Sequence, residues 1–143
     1  MLIAGVEMPE DLLYLVEHQT WARLAADGTA TLGITALGLK ASGEIYMCRP
    51  KSVGSAVEQG RSMAVVELSK SIVSVKSPLS GQVLGVNARL DEAPELVHRD
   101  PYGEGWLIVL QPSRLDEERA LLATGDTARP ALEQHAWLNQ LKP

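Results

Sequence analysis

The chain is poor in the residues that build most cofactor-free chemistry. Cys48 is the single cysteine among 143 residues, so an internal disulfide is excluded and no cysteine pair has metal-site spacing. We expect Cys48 to act as a small core hydrophobe. The three histidines, His18, His98 and His135, are scattered, with no triad or metal arrangement that would suggest an enzyme in its own right. Positive charge is also scarce: 13 Lys and Arg stand against 18 Asp and Glu, a formal charge of -5. A basic stripe able to meet phosphates is missing, which argues against a nucleic-acid surface. No apolar run approaches the ~20 residues that cross a bilayer. The opening residues 1–6 lack a positive leading region, and Glu7, Glu10 and Asp11 follow at once. The expectation is a monomeric single-domain cytoplasmic protein with a modest core, touching neither nucleic acid nor membrane.

What the chain does have is regular punctuation. Gly28, Gly33, Gly38, Gly43, Gly54, Gly60, Gly81 and Gly85 cut the first two-thirds into short segments. Many short strands with turn signals imply a mainly β, sandwich-like fold. Two weakly similar strand-turn-strand halves, 43–60 and 63–85, are expected to bury Val57, Val65, Val73, Val83 and Val86 between them. Residues 36–41 predict a short helical turn, and 94–98 another with proline in its first turn. From Ser113 the pattern becomes helical, with Asp116, Glu117 and Glu118 in the first turn and a stop near Gly125. A second helix is expected over 129–141, with Leu132, Ala136 and Leu138 covering the sheet and Trp137 in a partial niche.

The most informative residue is Lys70. In Val65-Val66-Glu67-Leu68-Ser69-Lys70-Ser71-Ile72-Val73 a polar pair interrupts two apolar β-branched runs, which is how a lysine is displayed on a hairpin tip. Taken alone, such a lysine is an ordinary solvated charge. The flanks say more. Upstream lies Val53-Gly54-Ser55-Ala56-Val57-Glu58-Gln59-Gly60, and downstream Ser77-Pro78-Leu79-Ser80-Gly81-Gln82-Val83, so Lys70 sits midway between two glycine-bounded turns. Lys76, beside Pro78 and away from the tip, reads as a solvated strand lysine.

This G-x-x-V-x-x-G, V-V-E-x-x-K, S-P-x-S-G-x-V order resembles the biotinyl/lipoyl carrier pattern, in which the central lysine is acylated. Biotin carriers place methionines on both sides of that lysine, whereas Ser69 and Ser71 stand here, so lipoate fits better. Over about residues 14–112 the chain is similar to the H-protein family of the glycine cleavage system. Glu17-His18-Gln19-Thr20-Trp21, Leu32-Gly33-Ile34-Thr35, Pro94-Glu95-Leu96-Val97 and Asp100-Pro101-Tyr102-Gly103-Glu104-Gly105-Trp106 resemble its motifs in the family's order. The resemblance implies a barrel-sandwich hybrid carrier domain over 14–112, preceded by an extension (1–13) and followed by a helical segment packed on it (113–143).

The resemblance further implies lipoate amide-linked to Lys70 as a swinging arm, with Glu67 read by a lipoate ligase or lipoyl transferase. His18, Gln19 and Ser74 would form the arm pocket. Two positions that are acidic in the family match Gln19 or Thr20 and Ser74, so the carboxylates that would shelter an aminomethyl ammonium are missing. That departure favours the H-protein-like lipoate-binding proteins of sulfur oxidation, with a heterodisulfide-reductase-like complex as partner. The alternatives are glycine cleavage itself, with glycine decarboxylase, aminomethyltransferase and dihydrolipoamide dehydrogenase, and a lipoate relay. An unmodified interaction module is a further reading, which Glu67 and Lys70 oppose.

Overall fold

A computed structural model describes residues 1–143. The chain opens with β1 (Leu2–Ile3), β2 (Val6–Glu7), β3 (Leu13–Leu15), β4 (Thr20–Leu24), β5 (Ala30–Ile34) and α1 (Ala36–Ser42). Next come β6 (Met47–Pro50), β7 (Ala56–Val57), β8 (Ser62–Glu67), β9 (Ile72–Lys76) and β10 (Gly81–Val86). The last third holds α2 (Leu96–Arg99), β11 (Ile108–Pro112), α3 (Leu115–Glu118) and α4 (Ala128–Leu138).

Two antiparallel sheets face each other. The larger runs β3-β4-β5-β11-β10-β7, the smaller β6-β8-β9, and β1-β2 is a separate hairpin. Between the sheets lies a cluster of 22 buried residues, with Leu32, Val57, Met63, Val66, Val83 and Leu110 among them. This is the expected mainly β sandwich. The burial of valines differs from expectation. Val57 and Val83 are buried, whereas Val65 and Val73 are exposed. Val65 lies on the outward face of the small sheet, and Val73, on the other face, stands near the tip of the β8–β9 hairpin.

The C-terminal third also differs. Helix α3 has one turn and no side-chain cap, and a 3-10 turn over Arg119–Leu121 follows it. What fixes this segment is the carboxylate of Glu118. It is buried and accepts bonds from the Ser80 N–H (2.7 Å) and the Ser80 hydroxyl. In α4, Leu132 and Ala136 are buried as expected, but Trp137 is 78% and Leu138 63% exposed. The buried stripe is Ala128, Leu132 and Ala136, at four-residue spacing, which leaves positions 137 and 138 on other faces. These three join Ile3, Met8, Leu12, Tyr14, Trp21 and Leu37 in a second core of nine residues. Residues 1–13 and the tail are thus two sides of one packed layer.

Candidate functional site

The β8–β9 hairpin is built by side-chain alternation. Glu67 pairs with Ile72, Val66 with Val73, and Val65 with Ser74, so Val66 and Val73 share the core-facing side while Val65, Glu67 and Ile72 face outward. The Leu68 N–H donates to Ser71 O (2.8 Å), closing the turn and leaving Ser69 and Lys70 as its exposed centre. At the root, the Tyr46 N–H donates to Glu67 O (2.8 Å), and Met47 pairs across from Glu67. Lys70 therefore projects from the end of a three-stranded sheet, with Glu67 exposed one row behind it. Lys76 ends β9 at the opposite end of the hairpin.

A hollow of about 120 Å³ lies on the core side of this hairpin. His18, Thr20, Ile34, Val66, Val73 and Ser74 line it. The hydroxyls of Thr20 and Ser74 are buried with no hydrogen-bond partner. Leaving a buried hydroxyl unpaired costs about 1–3 kcal/mol, so these two positions carry an unmet demand for a partner. His18 borders the hollow, with its Nε2 4.0 Å from the exposed Glu17 carboxylate. No carboxylate lines it.

Gln19 does something else. Its backbone is left-handed (φ +55°), its Nε2 donates to Val16 O (2.8 Å), and its Oε1 accepts from the Thr35 hydroxyl (2.6 Å). Thr35 in turn caps α1 by accepting from the Gly38 N–H (3.0 Å). Gln19 thus fixes the start of α1 and the register of β4, and Thr20 is the residue of the pair that faces the hollow.

Two further residues position this region. His98 Nε2 accepts from the Ile45 N–H (2.9 Å), tethering the segment between α1 and β6. Cys48 pairs with Val66 and is buried on the core side of the small sheet, where burial, with Asp91 nearby, pushes its thiol pKa up to about 12. No group of His, Cys, Asp and Glu side chains could hold a metal ion, and no helix is long and apolar enough to cross a membrane.

The hairpin thus presents an exposed lysine at its tip and a small hollow on its core side. Residues 12–135 match the family model for the glycine cleavage H-protein. The chain belongs to that family. H-proteins carry lipoate covalently on a lysine and act as carriers within a multienzyme system. Among relatives, glycine cleavage system H protein 2 of Aquifex aeolicus is 36% identical over 92% of this chain and 81% of its own length. The H protein of Rubrobacter xylanophilus is 41% identical over 90% of this chain and 98% of its own. The crystal structure of a glycine cleavage system H protein from Mycobacterium marinum superposes with a TM-score of 0.71 at 31% identity, covering 94% of this chain and all of that one. These likenesses support the glycine-cleavage branch of the family over the sulfur-oxidation branch expected from the missing carboxylates.

The family match covers α3 and most of α4, whose Ala128 and Leu132 belong to the second core.

Proposed function

We propose that this chain is a glycine-cleavage H-protein that carries lipoate amide-linked to Lys70. On this reading a lipoate ligase or lipoyl transferase loads the lysine, with Glu67 as its point of recognition. The loaded protein then visits glycine decarboxylase, aminomethyltransferase and dihydrolipoamide dehydrogenase. The observation that carries the reading is the exposed Lys70 at the centre of a turn closed by the Leu68–Ser71 bond, within the H-protein fold. A bound lipoyl group supplies a disulfide that opens to accept cargo and closes again when cargo and electrons leave.

The chain's own residues do the positioning. The hairpin holds Nζ away from the body, where a partner's active site can reach it, and a flexible tether raises the local concentration of the carried group there. His18 and Thr20 form the polar part of the core-side hollow, and Ile34, Val66 and Val73 exclude water from it.

Intact mass after incubation with an active ligase and lipoate tests the attachment. Lys70→Arg keeps the charge but offers no acylatable amine, so it loses the mass increment with the fold intact. An increment persisting in that variant, for instance on Lys76, refutes the assignment. Glycine–bicarbonate exchange with glycine decarboxylase tests the pathway. Exchange comparable to a genuine H-protein supports glycine cleavage. Negligible exchange by fully lipoylated protein moves the assignment to an uncharged cargo such as sulfur, which the carboxylate-free hollow would suit.

A further inference from the structure

Charge is unevenly spread along this acidic chain. Residues 46–76, which build the small sheet and the Lys70 turn, hold Arg49, Lys51, Arg61, Lys70 and Lys76 against Glu58 and Glu67, a formal +3. The rest of the chain therefore stands at -8. None of those five cations has a carboxylate within ion-pair distance, whereas Arg89, Arg114 and Arg129 elsewhere each have one. Strand register gathers three of the five on one face. Met47, Glu67 and Ile72 form one outward row across β6, β8 and β9, and Arg49, Val65 and Ser74 form the next. Lys76 lies two residues past Ser74 on the same side, and Lys51 is exposed directly after β6. The face thus mixes exposed Met47, Val65 and Ile72 with Arg49, Lys51 and Lys76, and Glu67 is the one acid in its rows.

Resting on the glycine-cleavage carrier reading above, we infer that this outward face is a docking surface for an acidic patch of glycine decarboxylase beside the entrance that admits the arm. Continuity with the tip is the first ground. Ile72 and Glu67 are two and three residues from Lys70, within about 10 Å of extended chain, so an enzyme that takes the arm brings its own surface against these rows. The mixture of contacts is the second. A phosphate lattice or a lipid headgroup layer would meet the cations and leave Met47, Val65 and Ile72 uncovered, whereas a protein surface supplies carboxylates and apolar side chains together. Between the two rows a recess of about 100 Å³, with Arg49 and Glu67 in its wall, has room for one side chain of a partner.

Charge asymmetry then does the orienting. Acylation removes the charge of Lys70, so residues 46–76 of the loaded protein keep a formal +2 beside a body at -8. An acidic partner surface is attracted to the small sheet and repelled by the remainder, which turns the tip toward the entrance before contact. Charges at the exposed edge of an interface act chiefly on encounter, so the carrier's KM, and not kcat, carries the effect. Exposed pairs are also screened by salt, which gives the effect a signature that loss of packing lacks.

The experiment measures glycine–bicarbonate exchange by glycine decarboxylase against the concentration of lipoylated carrier, each variant first shown by mass to be fully loaded on Lys70. The wild-type KM should rise as NaCl goes from about 20 mM to about 0.5 M. The triple variant Arg49→Gln, Lys51→Gln, Lys76→Gln should raise the low-salt KM about 10-fold with kcat unchanged, the gap closing to about 2-fold or less at high salt. The single variant Lys76→Glu should raise it about 3-fold under the same low-salt conditions. A control triplet that removes the same charge elsewhere, Arg99→Gln, Arg119→Gln, Lys142→Gln, at exposed residues outside any ion pair, should stay within about 2-fold. A salt-independent wild-type KM, a first triplet within about 2-fold of wild type, or an equal loss in the control overturns the docking face and leaves the carrier reading in place. Sedimentation of the wild type with phosphatidylglycerol vesicles, lost in the first triplet while its KM is unchanged, would give the face to a membrane and overturn it equally. No exchange by fully loaded wild type overturns the glycine-cleavage reading and this partner with it.

Discussion

At Gly81, a Cβ would run into the carbonyl oxygen of Gln111 on the neighbouring strand β11 and meet Leu110 Cγ at 3.0 Å. The constraint is close approach of backbones, and it accounts for the glycine in Ser77-Pro78-Leu79-Ser80-Gly81 without reference to chemistry. Gly81→Ala should therefore destabilise by about 2 kcal/mol or more, lowering the melting midpoint by several degrees in a calorimetric scan. Cys48 gives a second prediction at this scale. Its thiol is 1% exposed and its pKa is pushed up to about 12, so the reactive thiolate is scarce and shielded at ordinary pH. Alkylation of the native protein near pH 8 should proceed only as fast as the small sheet opens, and urea should accelerate it in step with unfolding. Rapid labelling under native conditions would show that β6 and β8 part readily.

Helix α3 and the turn before β10 form one element in practice, because Glu118 reaches across 38 residues to Ser80. Its backbone oxygen also accepts from Gln59 Nε2 (3.1 Å), and the Ser80 hydroxyl accepts from the Gln59 N–H (2.8 Å). Glu118→Ala leaves the buried Ser80 N–H without its partner and should cost about 1–3 kcal/mol, read as a lowered urea midpoint at unchanged slope. Nothing in the sequence marks Glu118 apart from Asp116 and Glu117, because its partner is distant and its burial is set by packing. The hairpin was legible for the opposite reason. A polar pair between β-branched runs is a local signal, and both its strands and its Ser69-Lys70 centre follow from it. Which side each valine faces was not legible, since Val65 and Val73 satisfy the same pattern whether or not a second sheet lies over them. Gln19 and Thr20 are neighbours in sequence with opposite tasks, and only the left-handed backbone at Gln19 separates them.

Over the whole molecule, the second core ties both ends of the chain to the wall of the carrier domain. Tyr14, Trp21 and Leu37 from the domain pack with Ile3 and Met8 from the start and Ala128, Leu132 and Ala136 from α4. Removing residues 113–143 uncovers Tyr14 and Trp21, and the truncated protein should aggregate or unfold well below the full chain on heating. The same layer sets the alkaline limit. Tyr102 accepts from the Ala36 N–H (2.8 Å) and touches Trp21, and burial raises its pKa from 10.0 to about 12; burial raises Tyr14 further still. An unfolded tyrosine ionises near pH 10, so above that value the unfolded chain loses protons that the folded one keeps, and stability falls as pH rises. Phenolate absorbance should therefore lag for these two residues between about pH 10 and 12, then rise together with loss of fold.

The burial of Cys48 behind the sheet that displays Lys70 has an electrochemical consequence. A protein whose working group is a disulfide usually risks exchange with its own thiols, which adds mixed-disulfide forms of different potential. Here the one competing sulfur is walled off by Val66 and held in its unreactive form. The loaded protein should then behave as a single two-electron couple, with a Nernst slope near 30 mV per decade and no drift between repeated titrations.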